Sequence, residues 1–380
     1  MAKLGRRLRL GMVGGGPGAF IGGVHRIAAR LDDRYELVAA SLSSDPEKTR
    51  AAADELHIAR PYSSFQQMAE EEGKRDDGID LVAIVTPNST HHAIAAAFLD
   101  AGIHVMCDKP MTVTLAEAED LQRRVDKSGL IFGLTHTYAG YPMVRQAREM
   151  VAQGQLGTIR SVQVEYAQEW LATTVESKQA DWRTDPARSG PAGCLGDIAT
   201  HAFHMAYFTS CLQPSEIAAD LATFVPGRRL DDNVQAMLRF SNGAKGGLWS
   251  SQIAIGNENQ LRLRIFGDKA GLEWEQENPN YIRFTPLNDQ TRILARGGDG
   301  IGPAASHATR LPFGHPEGFL EAFAQLYTDM AEQITARLED RDPNPQALIL
   351  PGVKDGVNGV RFIEAALASS KNNSSWTPLH

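Results

Sequence analysis

Cysteine is nearly absent: Cys107, Cys194 and Cys211 are the three in 380 residues. An odd number with no close pair builds neither a disulfide framework nor a zinc motif. A reducing, cytoplasmic setting is the expectation. Basic residues are the minority, 38 against 46 acidic, giving a net charge of −8. A general nucleic-acid binder needs a basic face for phosphates, so that class is excluded. One nucleotide is still allowed, because backbone N–H groups and a helix dipole can hold its phosphates. No apolar run is long enough to span a bilayer, so no membrane partner is expected. The basic start "MAKLGRRLRLGMVGGGPG" lacks a long apolar core and a small-residue cleavage site, so it does not read as a secretory leader. Internal repeats and low-complexity segments are missing too.

What is present suits a folded chain. Apolar residues make up 42% and charged residues 22%, enough for an ordinary core, and the length predicts two domains. The first third alternates strand and helix. Strands are predicted at 9–13, 36–42, 80–86, 103–106 and 130–135, and helices at 22–31, 46–56, 65–72 and 92–101. Gly102 suits a left-handed helix end. A further helix opens on Thr114 and Glu117, spaced as a capping box, and stops before Gly129. The mixed-charge run 70–77, "EEEGKRDD", reads as a solvated loop. Continuous apolar strands alternating with helices predict a parallel sheet covered on both faces, an α/β Rossmann-type doubly wound domain over 1–138. From 139 to 380 the pattern becomes long strands with one wet face, at 158–170, 233–241, 244–254 and 260–267, then "GLEWEQ" and "YIRFTP". That predicts an α+β domain with a large open, mostly antiparallel sheet. Helices near 196–210 and 318–338 are assigned to this half, and a last one near 355–369 is open to packing back on the first domain.

"GMVGGGPGAFIGGVHR" follows the first strand and opens the first helix. Gly14, Gly16 and Ala19 match G-x-G-x-x-G/A: a tight turn, backbone free to approach a pyrophosphate, and close helix–strand packing. Gly15, Gly18, Gly22 and Gly23 offer other registers. Pro17, Phe20 and Ile21 join the candidate cofactor contacts. An acid at the end of the second strand ordinarily binds the adenosine ribose. Ser43 and Ser44 stand there instead, with Lys48 in reach of a 2′-phosphate and Asp45 arguing the other way. Capping of the next helix is the plain alternative, so the cofactor is NAD or NADP. In "GIHVMCDKPM" a buried strand ends on Asp108, Lys109 and Pro110, at the end of a parallel strand where ligands bind.

"VTPNSTHHAIAAAFLDAGIHVMCDKPM" resembles the Gfo/Idh/MocA family, named for glucose–fructose oxidoreductase, inositol dehydrogenase and a rhizopine-catabolism protein. Thr86, Pro87, Asn88, His91, Lys109 and Pro110 fit its T-P-x-x-x-H and E-K-P segments, and Asp108 replaces the usual glutamate. "GPAGCLGDIATHAFHMA" resembles the family's glycine-rich approach to D-x-x-x-H, with Asp197 and His201 in those positions. "DWRTDPARSG" is similar to its W-R segment, which implies Trp182 and Arg183 near the pocket. The resemblance implies an NAD(P)-dependent oxidoreductase acting on sugars, glycosides, cyclitols or their keto forms, with Lys109, Asp197 and His201 in the active site. It also implies a cis Lys109–Pro110 bond. One departure is Thr137, which stands at the family's asparagine position, with Tyr138 next to it.

Oxidising an alcohol releases a hydride and a proton, and the protein must handle the proton. Histidine, titrating near about 6.5 when unperturbed, suits a general acid/base. Asp197 and His201 are four apart and share a face on a regular helix. Their expected roles are acid/base for His201, polarisation of the reacting oxygen for Lys109, and positioning for Asp197. Tyr138, Trp170, Trp182 and Arg183 are candidate substrate contacts, the tryptophans by stacking on a sugar ring or as core. His136 and His315 are divided between pocket and structure, His204 is assigned to core or rim, and no metal site is expected. Competing readings are reduction of a dihydrodiol or linear tetrapyrrole, and a dinucleotide-binding regulator without catalysis. The wet sheet face predicts a homo-oligomer, dimer or tetramer.

Overall fold

The computed structural model describes residues 4–379, except for the side chains of Lys178, Gln179 and Trp182. The chain divides into two compact units. One runs up to Gly140 and resumes at Phe319–Val357; the other comprises Tyr141–Gly318 and the chain from Asn358 onward.

The first unit holds a six-stranded parallel sheet: β1 Leu8–Gly14, β2 Tyr35–Ser41, β3 Arg60–Pro61, β4 Leu81–Val85, β5 His104–Cys107 and β6 Phe132–Leu134. The spatial order is β3-β2-β1-β4-β5-β6, so the direction of winding reverses between β1 and β4. β4 and β5 are buried at every position, as strands covered on both faces must be. Its helices are α1 Phe20–Leu31, α2 Pro46–Glu55, α3 Phe65–Glu72, α4 His91–Asp100 and α5 Leu115–Ser128. The capping box of α5 is formed by Thr114 and Glu117, and Gly129 closes that helix at φ 63°. Gly102 follows α4 at φ 80°.

The structure corrects the sequence reading at three places. The two-residue β3 has no sequence signal. The run 70–77 is not all solvated loop: Glu72 ends α3 and its carboxylate is buried, accepting from Arg60 (2.7 and 2.8 Å), the Tyr62 hydroxyl (2.7 Å) and the Ile79 N–H (3.0 Å). Helix Phe319–Leu338, assigned above to the second half, packs on α1 in the first unit. Its Phe323, Leu326, Tyr327, Met330 and Ile334 join one core with Leu8, Leu10, Met12, Val24 and Ala28. Each such side chain contributes about 1.5–3 kcal/mol when fully buried, which decides where the helix goes.

The second unit carries a nine-stranded sheet: β7 Ile159–Ala167, β8 Pro214–Ala222, β9 Asn233–Phe240, β10 Lys245–Ser251, β11 Gln260–Gly267, β12 Ala270–Glu275, β13 Tyr281–Pro286, β14 Arg292–Ala295 and β15 Thr377–Pro378. The order is β14-β13-β12-β11-β7-β10-β9-β8-β15; β7 and β10 are parallel and the other pairs antiparallel. Burial alternates along β9 and β11, as the wet-face pattern predicts. Helix Thr200–Ser210 is buried at all its positions and packs on β7, β10 and β11, with helix Pro142–Ala152 against it. On the other face Met237 and Trp249 stand near each other, in the neighbouring pairs Gly247–Met237 and Trp249–Gln235.

Candidate functional site

The first unit's site starts where β1 turns into α1. Gly14, Gly15 and Gly18 take φ of 77°, 66° and 79°, a conformation that disfavours any residue with a Cβ. A Cβ on Gly14 would stand 2.3 Å from the Val85 carbonyl oxygen. A Cβ on Gly22 would stand 2.1 Å from the Gly15 carbonyl oxygen. The close helix-to-turn packing therefore falls at Gly22, while Ala19 is the N-cap of α1. Around Gly16 a Cβ would meet only Leu42, at ordinary contact of 3.4 Å, so its backbone is approachable. Pro17 and Gly18 are exposed, as is Phe20, while Ile21 is half-buried. α1 has neither an acidic residue in its first turn nor a side-chain cap, which leaves its leading N–H groups suited to an anion. Arg26 of the same helix donates to the Gly15 carbonyl and ties the turn down.

Asp45 is the N-cap of α2, and one carboxylate oxygen accepts from the N–H groups of Glu47 (2.9 Å) and Lys48 (3.3 Å). The Ser43 hydroxyl accepts from the Asp45 N–H at 3.1 Å. Ser44 and Lys48 are exposed.

Two loops follow β4 and β5. Thr86, Pro87 and the buried Asn88 lead into a 3₁₀ turn, Asn88–Thr90, with the Thr90 hydroxyl donating to Thr86 Oγ1 at 2.8 Å. His91 is fully buried; its Nδ1 lies 3.0 Å from the Pro110 carbonyl oxygen and its Nε2 2.8 Å from that of Thr86. Its ring braces one loop against the other. The Lys109–Pro110 bond is cis, and Lys109 is half-buried. Asp108 Oδ1 accepts from Thr135 Oγ1 (2.6 Å) and from His25 Nε2 (3.0 Å). Burial alone would raise the Asp108 carboxyl, but His25 and the Thr135 hydroxyl bring it below the ordinary aspartate range. His136, Thr137 and Tyr138 are buried.

The second unit's site gathers around Asp197. The regular helix predicted over 196–210 begins as a π-turn, Leu195–Ala199, and becomes α-helical only at Thr200. A π-turn closes at i+5, so the phase between Asp197 and His201 differs from the i,i+4 face assumed above. Such turns recur at functional sites. Asp197 Oδ2 accepts from Arg183 Nε (3.1 Å) and Gln252 Nε2 (2.9 Å). His201 is 9% exposed, its ring 6.3 Å from that of Tyr166. The Arg183 guanidinium also lies 6.0 Å over the Trp170 ring, and Trp170 Nε1 donates to Gln168 Oε1 at 2.9 Å. The Trp182 side chain lies outside the described residues. His204 stacks on Phe208 inside the core, and His315 is on an exposed loop.

Sequence reasoning missed the supports. Asp231 receives the N–H groups of Gly193 (2.7 Å) and Leu195 (2.6 Å) on its carboxylate and that of Cys194 (2.9 Å) on its carbonyl. It thereby fixes the start of the π-turn. Burial pushes its carboxyl up to about 6, against the pull of those two N–H groups and with Asp232 adding to the rise. Gln252 lies 55 residues from Asp197 and His25 lies 83 from Asp108, and no short motif marks either pair. Among the described residues no group of histidine, cysteine, aspartate and glutamate is placed to hold a metal ion. No described helix is long and apolar enough to cross a membrane.

Residues 8–136 match a family model described as an oxidoreductase family with an NAD-binding Rossmann fold. Residues 144–273 match the GFO/IDH/MocA C-terminal domain. An uncharacterised oxidoreductase of Bacillus subtilis, YfiI, is 35% identical, with 98% of this chain and 97% of YfiI covered. The crystal structure of an oxidoreductase from Sinorhizobium meliloti is 50% identical with a TM-score of 0.89, covering 98% of this chain and 99% of that one. An inositol dehydrogenase homologue from Azotobacter vinelandii, solved with NADH and myo-inositol, is 33% identical with a TM-score of 0.90, covering 98% of both chains.

Proposed function

The chain belongs to the GFO/IDH/MocA family of NAD-binding oxidoreductases, and from that membership we propose that it moves a hydride between nicotinamide and a secondary alcohol or ketone of a sugar, glycoside or cyclitol. The residues present fit the dinucleotide: the backbone at Gly16 is approachable, and α1 opens without an acid or a side-chain cap. The turn Gly14–Gly16 and the start of α1 would hold the pyrophosphate, with the loops at Thr86–Asn88 and Asp108–Pro110 beside it. Bound nicotinamide supplies the redox chemistry by accepting or returning the hydride.

The observation that carries the reading is Asp197, held by Arg183 and Gln252 in the π-turn that leads into the buried helix of His201. Burying titratable groups there is costly unless they are hydrogen-bonded and used. In this mechanism His201 takes the hydroxyl proton during oxidation and returns it during reduction. The Lys109 ammonium stabilises the alkoxide that develops on the reacting oxygen. Asp197 orients the imidazole, and Arg183 and Gln252 keep its carboxylate from rotating. Trp170, under the Arg183 guanidinium, offers an aromatic face to a sugar ring. Azotobacter's homologue makes myo-inositol the first substrate to try.

A panel of inositols, aldoses, anhydrosugars and keto-sugars, followed by NAD(P)H absorbance, tests this. Turnover that His201→Ala abolishes is the expected result. Cofactor binding without turnover on any polyol or keto-sugar overturns the substrate assignment. Parallel dissociation constants for NADH and NADPH decide the ribose question raised by the capping Asp45 and the exposed Lys48. For the open face of the second sheet we propose self-association, supported by the 56% exposure of Met237 beside Trp249; sedimentation velocity measures it.

A further inference from the structure

Aspartate where the family carries glutamate is one methylene short, and its partners show what that acid does here. Asp108 continues the β5 ladder, its N–H donating to the Ile84 carbonyl at 3.1 Å. Its Oδ1 is then claimed from two sides, by the Thr135 hydroxyl after β6 and by His25 from the middle of α1. An ionised carboxylate can only accept, so His25 Nε2 carries the proton of that bond. Its other nitrogen, Nδ1, is hydrogen-bonded to the Tyr327 hydroxyl, 2.6 Å away. Tyr327 is in turn anchored where its own carbonyl accepts from the Tyr35 hydroxyl at 2.9 Å. Both ring nitrogens of His25 thus have a polar partner. The ring has no solvent exposure and stands edge-on to Phe323, with centroids 4.7 Å apart. A histidine placed there only to fill space would be better replaced by an apolar ring, because each buried polar atom needs a partner to avoid a desolvation cost.

α1, the segment after β6 and helix Phe319–Leu338 therefore converge on the single carboxylate that precedes Lys109. An unheld carboxylate at that position would compete for the ammonium of the next residue, since opposite charges within about 4 Å attract strongly in a partly buried site. We infer that His25 is a positioning residue for Lys109: by holding Asp108 turned into the core, it keeps the carboxylate away from the ammonium and fixes the backbone from which Lys109 projects. This rests on the role given to Lys109 under the proposed function.

Three variants test it. His25→Phe keeps the ring and its packing on Phe323 but removes the donor. His25→Gln keeps an N–H donor at the reach of Nε2. Asp108→Asn removes the charge. With a substrate found in the panel, His25→Phe lowers kcat by about 100-fold, the scale of a reacting group displaced by roughly 1 Å, and His25→Gln restores most of it. The His25→Phe and Asp108→Asn losses do not multiply when combined, because they break one interaction. Thermal midpoints of all variants separate this from general destabilisation. Independently of any substrate, acylation of Lys109 by an amine-reactive ester, read by peptide mass spectrometry, slows in His25→Phe as the released carboxylate pairs with the ammonium, and recovers in His25→Gln. An unchanged Lys109 acylation rate in His25→Phe overturns the inference, whether or not a substrate has been found. Absence of turnover in the wild-type chain, with the acylation pattern as described, instead overturns the proposed function alone.

Discussion

Removing a charge from beneath the π-turn should make the protein more stable and less active. Asp231 is the site. Its carboxylate is buried and accepts two short N–H bonds, yet burial wins and pushes its carboxyl up to about 6. An unfolded aspartate titrates near about 3.9, so at 1.36 kcal/mol per pH unit the ionised form costs the folded state roughly 3 kcal/mol. The sign follows from the raised value. Asp231's contribution is fully favourable below the unfolded value and is lost as the pH climbs through about 6, so the cost is complete at pH 8. An asparagine side chain in its place would resemble the protonated acid, with one oxygen accepting and one N–H set against the Gly193 or Leu195 N–H. That mismatch is already contained in the raised value. Asp231→Asn should therefore stabilise the chain at pH 8 by up to about 3 kcal/mol, a rise of roughly 6–12 °C in the midpoint for a unit of this size. The gain should vanish at pH 4, where the wild-type carboxyl is protonated. Scanning fluorimetry across pH 4–8 measures both limits. The same substitution loosens the start of Leu195–Ala199 and should lower kcat while NADH binding holds. A variant less stable than wild type at pH 8 would refute the reasoning, showing that the two N–H bonds outweigh burial.

Other outcomes follow from the same geometry. Gly22→Ala places a Cβ 2.1 Å from the Gly15 carbonyl oxygen; overpacking of about 1–3 kcal/mol should weaken NADH binding roughly 5- to 150-fold, measured by fluorescence titration. Lys109→Ala should reduce kcat by about 10²–10³ with little change in NADH affinity, and the reverse split removes Lys109 from the mechanism. Glu72→Ala strands Arg60, the Tyr62 hydroxyl and the Ile79 N–H, and should cost about 3–5 kcal/mol by urea unfolding.

What could be read from the sequence was what is encoded locally. The α5 capping box and the left-handed Gly102 are set by residues within one turn, and both form. The Rossmann order followed from apolar runs and their spacing, and the open sheet from alternation. Failures arose where a distant partner decides. Glu72 looked like one more charge in a polar run until Arg60 and Tyr62 reached it. Helix Phe319–Leu338 has an apolar stripe that any sheet face could take, and its sequence position pointed to the wrong one. The π-turn is invisible to periodicity, since one extra residue per turn leaves no side-chain pattern over five positions. Lys109, Asp197 and His201 were singled out as candidates through motif order. Asp231, Gln252 and His25, which hold Asp197, its turn and Asp108, sit tens of residues away with nothing local to mark them.

The interrupted first unit sets an order of events during synthesis. α1 emerges from the ribosome with Val24, Ala28 and Ala29 facing a core whose other wall, Phe323 to Ile334, is encoded after all of Tyr141–Gly318. At about 5–20 residues per second, that wall arrives on the order of 15–60 s later. For that interval the nascent nucleotide-binding half carries a bare apolar surface, long enough for a chaperone to bind it or for a neighbouring nascent chain to stick to it. The enzyme's yield in a cell should therefore depend on how fast its middle is translated.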